Sequence, residues 1–282
     1  MPELPEVETV CRGLNQTSLN CLIRGGEVLL SRSIAHPESV EAFLNGISHT
    51  VFAQWSRRGK YLMACLKTPE GKAAGVLGVH LRMTGQLLWV SPQEPVPKHC
   101  RVRLFLAPDR ELRFVDQRTF GRLWWVPAHQ PPESIISGIA TLGPEPFSDR
   151  FSPEYLYEVT RRRQRPIKNA LLDQTLIAGI GNIYADEALF ISGIRPTAVC
   201  ARLGRQRLTK LHGAIRDVLE AGIANGGTTF SDFRNVHGVN GNYGGIANVY
   251  DRENDPCHIC QTPIRRIKLA GRSAHYCPRC QR

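Results

Sequence analysis

Val7, Val10, Cys11 and Leu14 fall at helical spacing near the start of the chain and predict a short amphipathic helix from 5 to about 16, laid against a core. Pro5 at its first position, with Glu6 and Glu8 facing the positive end of the helix dipole, suits such a start. From about 22 to 126 the period drops to two. Val102, Leu104 and Leu106 alternate with Arg101, Arg103 and Phe105, and Leu112 and Phe114 alternate with Glu111 and Arg113. Gly75, Gly78, Gly85, Pro92, Pro95, Pro97 and Pro108 break these runs, and many short strands divided in this way predict a β-sandwich or barrel. The stretch 127 to 153 is rich in Pro and Gly, with Leu142-Gly143-Pro144-Glu145-Pro146-Phe147 near its end, and reads as a linker. Beyond it, Leu208, Leu211, Ile215, Val218, Leu219 and Ile223 mark one face of a helix over roughly 205 to 224. Residues 225 to 245 hold Gly226, Gly227, Gly238, Gly241, Gly244 and Gly245 with little apolar content, so a mobile loop is expected there.

At 282 residues the chain has about two domains' worth of length. Charge narrows the partner. Against 36 Lys and Arg stand 25 Asp and Glu, a formal charge of +11, which points to a polyanion and first to nucleic acid. No apolar run reaches the roughly 18 residues of a membrane span, and the acidic start is unlike a secretion signal. An intracellular protein without membrane contact is therefore expected. The nine cysteines do not form a disulfide pattern. Cys11, Cys21, Cys65, Cys100 and Cys200 are expected as small, mostly buried side chains. The other four make two Cys-x2-Cys knuckles, Cys257 with Cys260 and Cys277 with Cys280, at the spacing of a tetrahedral zinc site filled by thiolates. Four protein ligands leave no open position, so this zinc is expected to be structural. Between the knuckles lie Arg265, Arg266, Lys268 and Arg272, and no acid occurs from 257 to 282, which makes the segment a cationic finger.

Three further stretches carry candidate chemistry. Pro2, once Met1 is removed, offers a secondary amine whose ordinary pKa near 8 leaves part of it unprotonated, and burial would enlarge that part. Attack on a sugar carbon would give an iminium, an electron sink for later eliminations, with Glu3 next to it to move protons. A plain helix start fits the same residues. Arg161-Arg162-Arg163-Gln164-Arg165 opens the helical half, and Gly179-Ile180-Gly181-Asn182 precedes a helix that Asn182 can cap, a turn able to offer backbone amides to a phosphate. Met83 and Phe120 lie in turns at strand ends. With Arg118 they suit either a wedge between base pairs or a packed corner.

Together these stretches resemble the formamidopyrimidine-DNA glycosylase family over the length of the chain. The marks are Pro2-Glu3-Leu4-Pro5-Glu6-Val7-Glu8, Arg58-Gly59-Lys60-Tyr61, His80-x2-Met83-Thr84-Gly85, Gly179-Ile180-Gly181-Asn182-Ile183-Tyr184-Ala185-Asp186-Glu187, and Gly271-Arg272 ahead of Tyr276-Cys277-Pro278-x-Cys280-Gln281. The resemblance implies an α+β fold: an N-terminal β-sandwich flanked by helices, a helix-two-turn-helix domain and a C-terminal zinc-finger hairpin. The expected division is a catalytic domain over 1–135, a linker over 136–152, a DNA-binding domain with the glycine-rich loop over 153–250, and the finger over 251–282. It implies a monomeric, cytoplasmic, nucleoid-associated enzyme of bacterial type that acts on double-stranded DNA containing oxidised bases or abasic sites. The reaction would be excision of oxidised purines through a Pro2 iminium, then β and δ elimination.

Glu3 would be the proton donor and acceptor, with Lys60 assisting proton transfer and Arg272 the second elimination. Met83, Arg118 and Phe120 would fill the space of the extruded nucleotide. His99, Arg162, Arg163, Lys168 and Asn182 would hold the DNA backbone, and Glu6 and Thr228 would lie near the damaged base. Thr119 stands where the family often has a second arginine, which leaves Arg118 as the only guanidinium expected there. Two other readings are an endonuclease VIII-like glycosylase for oxidised pyrimidines and a zinc-finger protein that binds DNA without catalysis.

Overall fold

In the computed structural model, which describes residues 1–228 and 234–282, the amphipathic start folds as predicted. Helix α1 spans Leu4–Thr17 and buries Val7, Val10, Cys11 and Leu14. Its first turn is closed by a capping box: the Glu3 carboxylate accepts from the Glu6 N–H, and the Glu3 N–H donates to Glu6 Oε2 at 2.7 Å. Two orphan amides are satisfied, and the residues ahead of the helix are held in one place.

The region of twofold periodicity forms two sheets. One orders β1 (Ile23–Val28), β7 (Cys100–Leu106), β8 (Arg110–Val115) and β6 (Gln86–Val90); the other orders β2 (Ile34–His36), β9 (Arg122–Val126), β5 (Ala73–His80), β4 (Tyr61–Lys67) and β3 (Val51–Arg58). The pairings are antiparallel except that of β2 with β9. Inward residues of both sheets, among them Val102, Leu104, Phe114, Leu62, Leu77 and Leu123, share one apolar cluster with α1. This is the expected sandwich.

Three departures from the periodic reading have local causes. Helix α2 (Val40–Ile47) interrupts the strands, capped by Ser39, whose Oγ accepts from the Ala42 N–H, and anchored by Phe43 and Ile47 at i, i+4 spacing. Glu111 and Arg113, assigned to the wet face of β8, are 2% and 1% exposed. Arg113 pairs with Glu111 at 2.7 Å and donates to the carbonyls of Ser91, Glu94 and Pro95, so its charge is used to hold the proline-rich loop after β6. In the glycine-rich stretch expected to be mobile, residues 229–233 lie outside the described residues, but Val236 is 1% exposed and belongs to the sandwich core. Its methyls fill the space beside Gly13, where a Cβ would stand 2.6 Å from Val236 Cγ2.

The chain divides into two compact units, residues 1–140 with 226–241 and residues 141–225 with 242–282. The second contains α5 (Pro153–Thr160), α6 (Ile167–Leu171), α7 (Asn182–Ile191), α8 (Arg205–Ala224) and the hairpin β10 (Arg265–Leu269) and β11 (Arg272–Tyr276); the short helices α3 (Pro132–Ile135) and α4 (Ser137–Ala140) close the first. Helix α8 buries Leu208, Leu211, Ile215, Val218 and Leu219, the face read from spacing. Gly222 on that face allows Tyr184 of α7 to come close, since a Cβ there would lie 2.6 Å from the ring.

Candidate active site and nucleic-acid interface

In the first unit, Pro2, Glu3 and Glu6 are buried at the start of α1, Glu3 at 2% and Glu6 at 1% exposure. Burial pushes the α-amino group of Met1, the residue ahead of Pro2, below its ordinary value; Glu3 and Glu6 oppose this, and Lys60 and Arg118 add to it. An amine, two carboxylates and the Lys60 ammonium thus share one poorly hydrated region. Lys60 sits in the two-residue turn joining β3 to β4, where Gly59 takes φ 56°, and is itself 6% exposed. Thr228 closes the other side of Glu6: its N–H donates to Glu6 Oε1 at 2.8 Å and its hydroxyl to the same oxygen at 3.2 Å. Next to Lys60 in sequence, Tyr61 meets the ring of His80 edge-on at 4.5 Å. Burial, with Arg82 and Lys60 adding to it, pushes His80 down to about 3, so this histidine stays neutral.

The wedge candidates lie on two turns. Met83 is half-buried, whereas Phe120 is 49% exposed and Arg118 lies on the surface with its guanidinium 5.1 Å above the Phe120 ring. They are not a packed corner. His99 is half-buried, and its Nδ1 lies 3.2 Å from an Arg101 guanidinium nitrogen. One residue missed in the sequence is Arg32, which reaches the Thr119 hydroxyl from 87 positions away. Besides Arg122, which donates to the Thr119 carbonyl at 3.2 Å, a further guanidinium is therefore present at this turn, supplied from a distant segment, and nothing local to Thr119 signals it.

In the second unit, Arg162 and Arg163 are exposed after α5. Lys168 is not: it is fully buried, with Nζ 2.6 Å from Asp186 Oδ1 and donating to the Ser273 carbonyl at 2.5 Å. This corrects its expected place on the DNA backbone, because its charge is neutralised inside the protein. Asp186 also accepts from the His275 N–H at 2.9 Å, so Lys168 and Asp186 tie α6 and α7 to β11. Glu187, equally buried, accepts from the N–H groups of Asn248, Val249 and Tyr250 and fixes the approach to the finger. Periodicity hides both acids because they lie on a helix buried on nearly all sides. Asn182 is the first helical residue of α7 and not its cap, which is Gly181. Its amide donates to Ser273 Oγ at 3.4 Å, and its Oδ1 is buried without a hydrogen-bond partner among the described residues.

Arg272 is exposed where β11 begins, directly after Ala270 and Gly271, whose φ angles of 44° and 79° make the tight hairpin turn. The Sγ atoms of Cys257, Cys260, Cys277 and Cys280 all lie within 4.8 Å of one another, with Cys257 to Cys280 at 3.9 Å and Cys260 to Cys277 at 3.5 Å. Tetrahedral thiolates at a Zn–S distance of about 2.3 Å would stand about 3.8 Å apart, so the cluster fits one structural zinc ion.

Known proteins resemble this chain over its whole length. Family models match in three consecutive blocks: the formamidopyrimidine-DNA glycosylase N-terminal domain over residues 1–123, the H2TH domain of the same glycosylase over 142–234, and a zinc finger found in FPG and IleRS over 254–282. The formamidopyrimidine-DNA glycosylase of Acaryochloris marina is 58% identical over 281 residues, covering 100% of this chain and 99% of that one. The crystal structure of the MutM (Fpg) protein from Thermus thermophilus is 36% identical with a TM-score of 0.87, covering 99% of this chain and 98% of that one. The Lactococcus lactis Fpg, in complex with DNA containing an abasic site, is 31% identical with a TM-score of 0.89, and coverage is 99% of each chain.

Proposed function

The chain belongs to the formamidopyrimidine-DNA glycosylase family, and from that premise we propose how this base-excision-repair glycosylase for oxidised purines carries out its reaction. The observation that carries the reading is the buried α-amino end of the first unit, set among Glu3, Glu6 and Lys60. With Met1 removed, the neutral Pro2 nitrogen attacks C1′ of an extruded nucleotide; the N–C1′ bond forms as the bond from C1′ to the damaged base breaks, and the proton that the attacking amine gives up leaves with the base, which departs neutral. Glu3 protonates the ring oxygen as the sugar opens, and the iminium left on Pro2 makes the C2′ protons acidic. Lys60 takes part in these transfers. Loss of the 3′ and then the 5′ phosphate follows, and the exposed Arg272 guanidinium stabilises the second departing phosphate.

Met83, Arg118 and Phe120 enter the space of the flipped nucleotide, and Glu6 with Thr228 borders the damaged base. His99, Arg162, Arg163 and Asn182 hold phosphates, and Lys168 serves them indirectly by fixing Ser273 beside Asn182. Catalysis belongs to 1–135 together with the stretch 226–241 that packs into the same unit, and backbone binding to the rest of 153–250 and the finger over 251–282. The zinc ion holds the finger's shape and takes no part in the chemistry. Among the described residues no helix is long and apolar enough to cross a membrane, and we assign the protein to the cytoplasm, on the nucleoid, as a monomer.

Excision from paired duplexes separates this reading from its rivals. With 8-oxoguanine in one and thymine glycol in the other, the purine lesion is expected to be removed roughly tenfold faster or more, a difference within reach of pocket hydrogen bonding. Equal or reversed rates would favour the oxidised-pyrimidine branch. Binding without strand cleavage would favour a zinc-finger protein with no catalytic role.

A further inference from the structure

We propose that Asp116 is the positioning residue that makes the turns bearing Met83, Arg118 and Phe120 act as one wedge. The assignment rests on the glycosylase reading above. Asp116 is 1% exposed and lies just after β8. Its Oδ1 accepts from the Thr84 hydroxyl at 2.5 Å and its Oδ2 from the Gly121 N–H at 2.8 Å. The Thr84 oxygen in turn accepts from the Arg118 N–H at 3.0 Å. The carboxylate therefore joins the turn after β5, through the neighbour of Met83, to both ends of the segment carrying Arg118 and Phe120. Its backbone reaches a further element: the Asp116 N–H donates to the His99 carbonyl at 2.9 Å, and Arg101 Nε donates to the Asp116 carbonyl at 2.8 Å.

The direction of each bond follows from the donors. Arg118 N–H and Gly121 N–H can only donate, so the Thr84 oxygen accepts from the first and must point its single proton at residue 116. Position 116 must therefore accept twice, once from a hydroxyl and once from an amide, and only a carboxylate does so without turning a donor towards a donor. Arg82 and Thr119 sit on these turns at φ 55° and 58°, a backbone region that side chains with a Cβ rarely occupy and that surrounding bonds must maintain. Without the hub both turns can relax. A wedge has to be held rigid at the moment it separates stacked bases.

Two variants test this. Asp116→Asn keeps the shape and replaces one acceptor by a donor, and Thr84→Val removes the bridging hydroxyl at nearly constant volume in a half-buried position. In the full chain, each is expected to lower kcat on an 8-oxoguanine duplex by roughly ten- to a hundredfold, the size of a lost charge-assisted hydrogen bond. Duplex affinity, set by phosphate contacts, is expected to stay within about threefold. Borohydride trapping on a single-stranded abasic oligonucleotide, which needs no wedge, is expected at the wild-type rate, while a 2-aminopurine beside an abasic site in duplex loses its fluorescence rise. Wild-type excision by both variants would overturn the proposal, as would an equal loss of single-strand trapping, which would mark a merely structural role. Failure of the wild-type protein to trap at all would instead remove the glycosylase reading, and this assignment with it.

Discussion

Protein that keeps Met1, or carries any residue ahead of Pro2, is expected to lose excision by roughly a thousandfold or more, the scale of removing a covalent nucleophile. Binding to an abasic-site duplex, measured by fluorescence anisotropy, is expected to remain, because phosphate contacts supply most of the affinity. The expectation follows from the geometry of α1. Its capping box holds Glu3 and places the residue before it in a buried position beside Lys60, where an amide nitrogen has no lone pair to offer. The pH dependence has a definite sign. The reactive form is the neutral Pro2 amine; Pro2 is buried, and burial disfavours a charged amine, as it already does for the Met1 amino group that precedes it, so excision is expected to rise with pH through a midpoint below the value of about 8 for an exposed α-amine. A midpoint above that value, or full activity with Met1 retained, would contradict the assignment.

The second large effect concerns the metal. The finger's own apolar cluster consists of Phe190, Val249, Ile264 and two of the ligands, Cys257 and Cys277, with Cys260 and Cys280 packed against it. So few apolar contacts cannot hold the hairpin alone, whereas a structural zinc contributes about 10 kcal/mol or more to the folding of such a module. Chelation, or Cys277→Ala, is expected to weaken duplex binding on the order of a hundredfold, since Arg265, Arg266, Lys268 and Arg272 lose their common scaffold and several phosphate contacts are lost together. All four tryptophans, Trp55, Trp89, Trp124 and Trp125, lie in the first unit. Their emission is expected to stay unchanged, which separates loss of the finger from general unfolding. Undiminished binding without zinc would contradict the role of the finger.

Where local pattern decides structure, the sequence was readable. Helix α1, the alternation in β7, the buried face of α8 and the four cysteines each follow from spacing within a few turns of chain. Long-range pairing was not readable. Asp116 sits in a run, Asp116-Gln117-Arg118-Thr119, that reads as an ordinary turn, and its importance comes from Thr84, 32 positions earlier. The burial of Lys168, expected on the DNA backbone, was not readable because its partner Asp186 lies in the next helix and Ser273 lies 105 positions away. Arg113 broke the alternation of β8 because a guanidinium can be buried once Glu111 and three backbone carbonyls satisfy its donors. Val236 was lost in a glycine-rich stretch whose composition obscures a single buried anchor.

Whether the nitrogen of Pro2 bonds to the sugar is read directly by covalent trapping. Protein with Met1 removed would be incubated with an abasic-site duplex and sodium borohydride, digested, and the peptide joined to DNA sequenced by mass spectrometry. A single adduct is expected, on the peptide that begins at Pro2. An adduct on Lys60, or none, would contradict it.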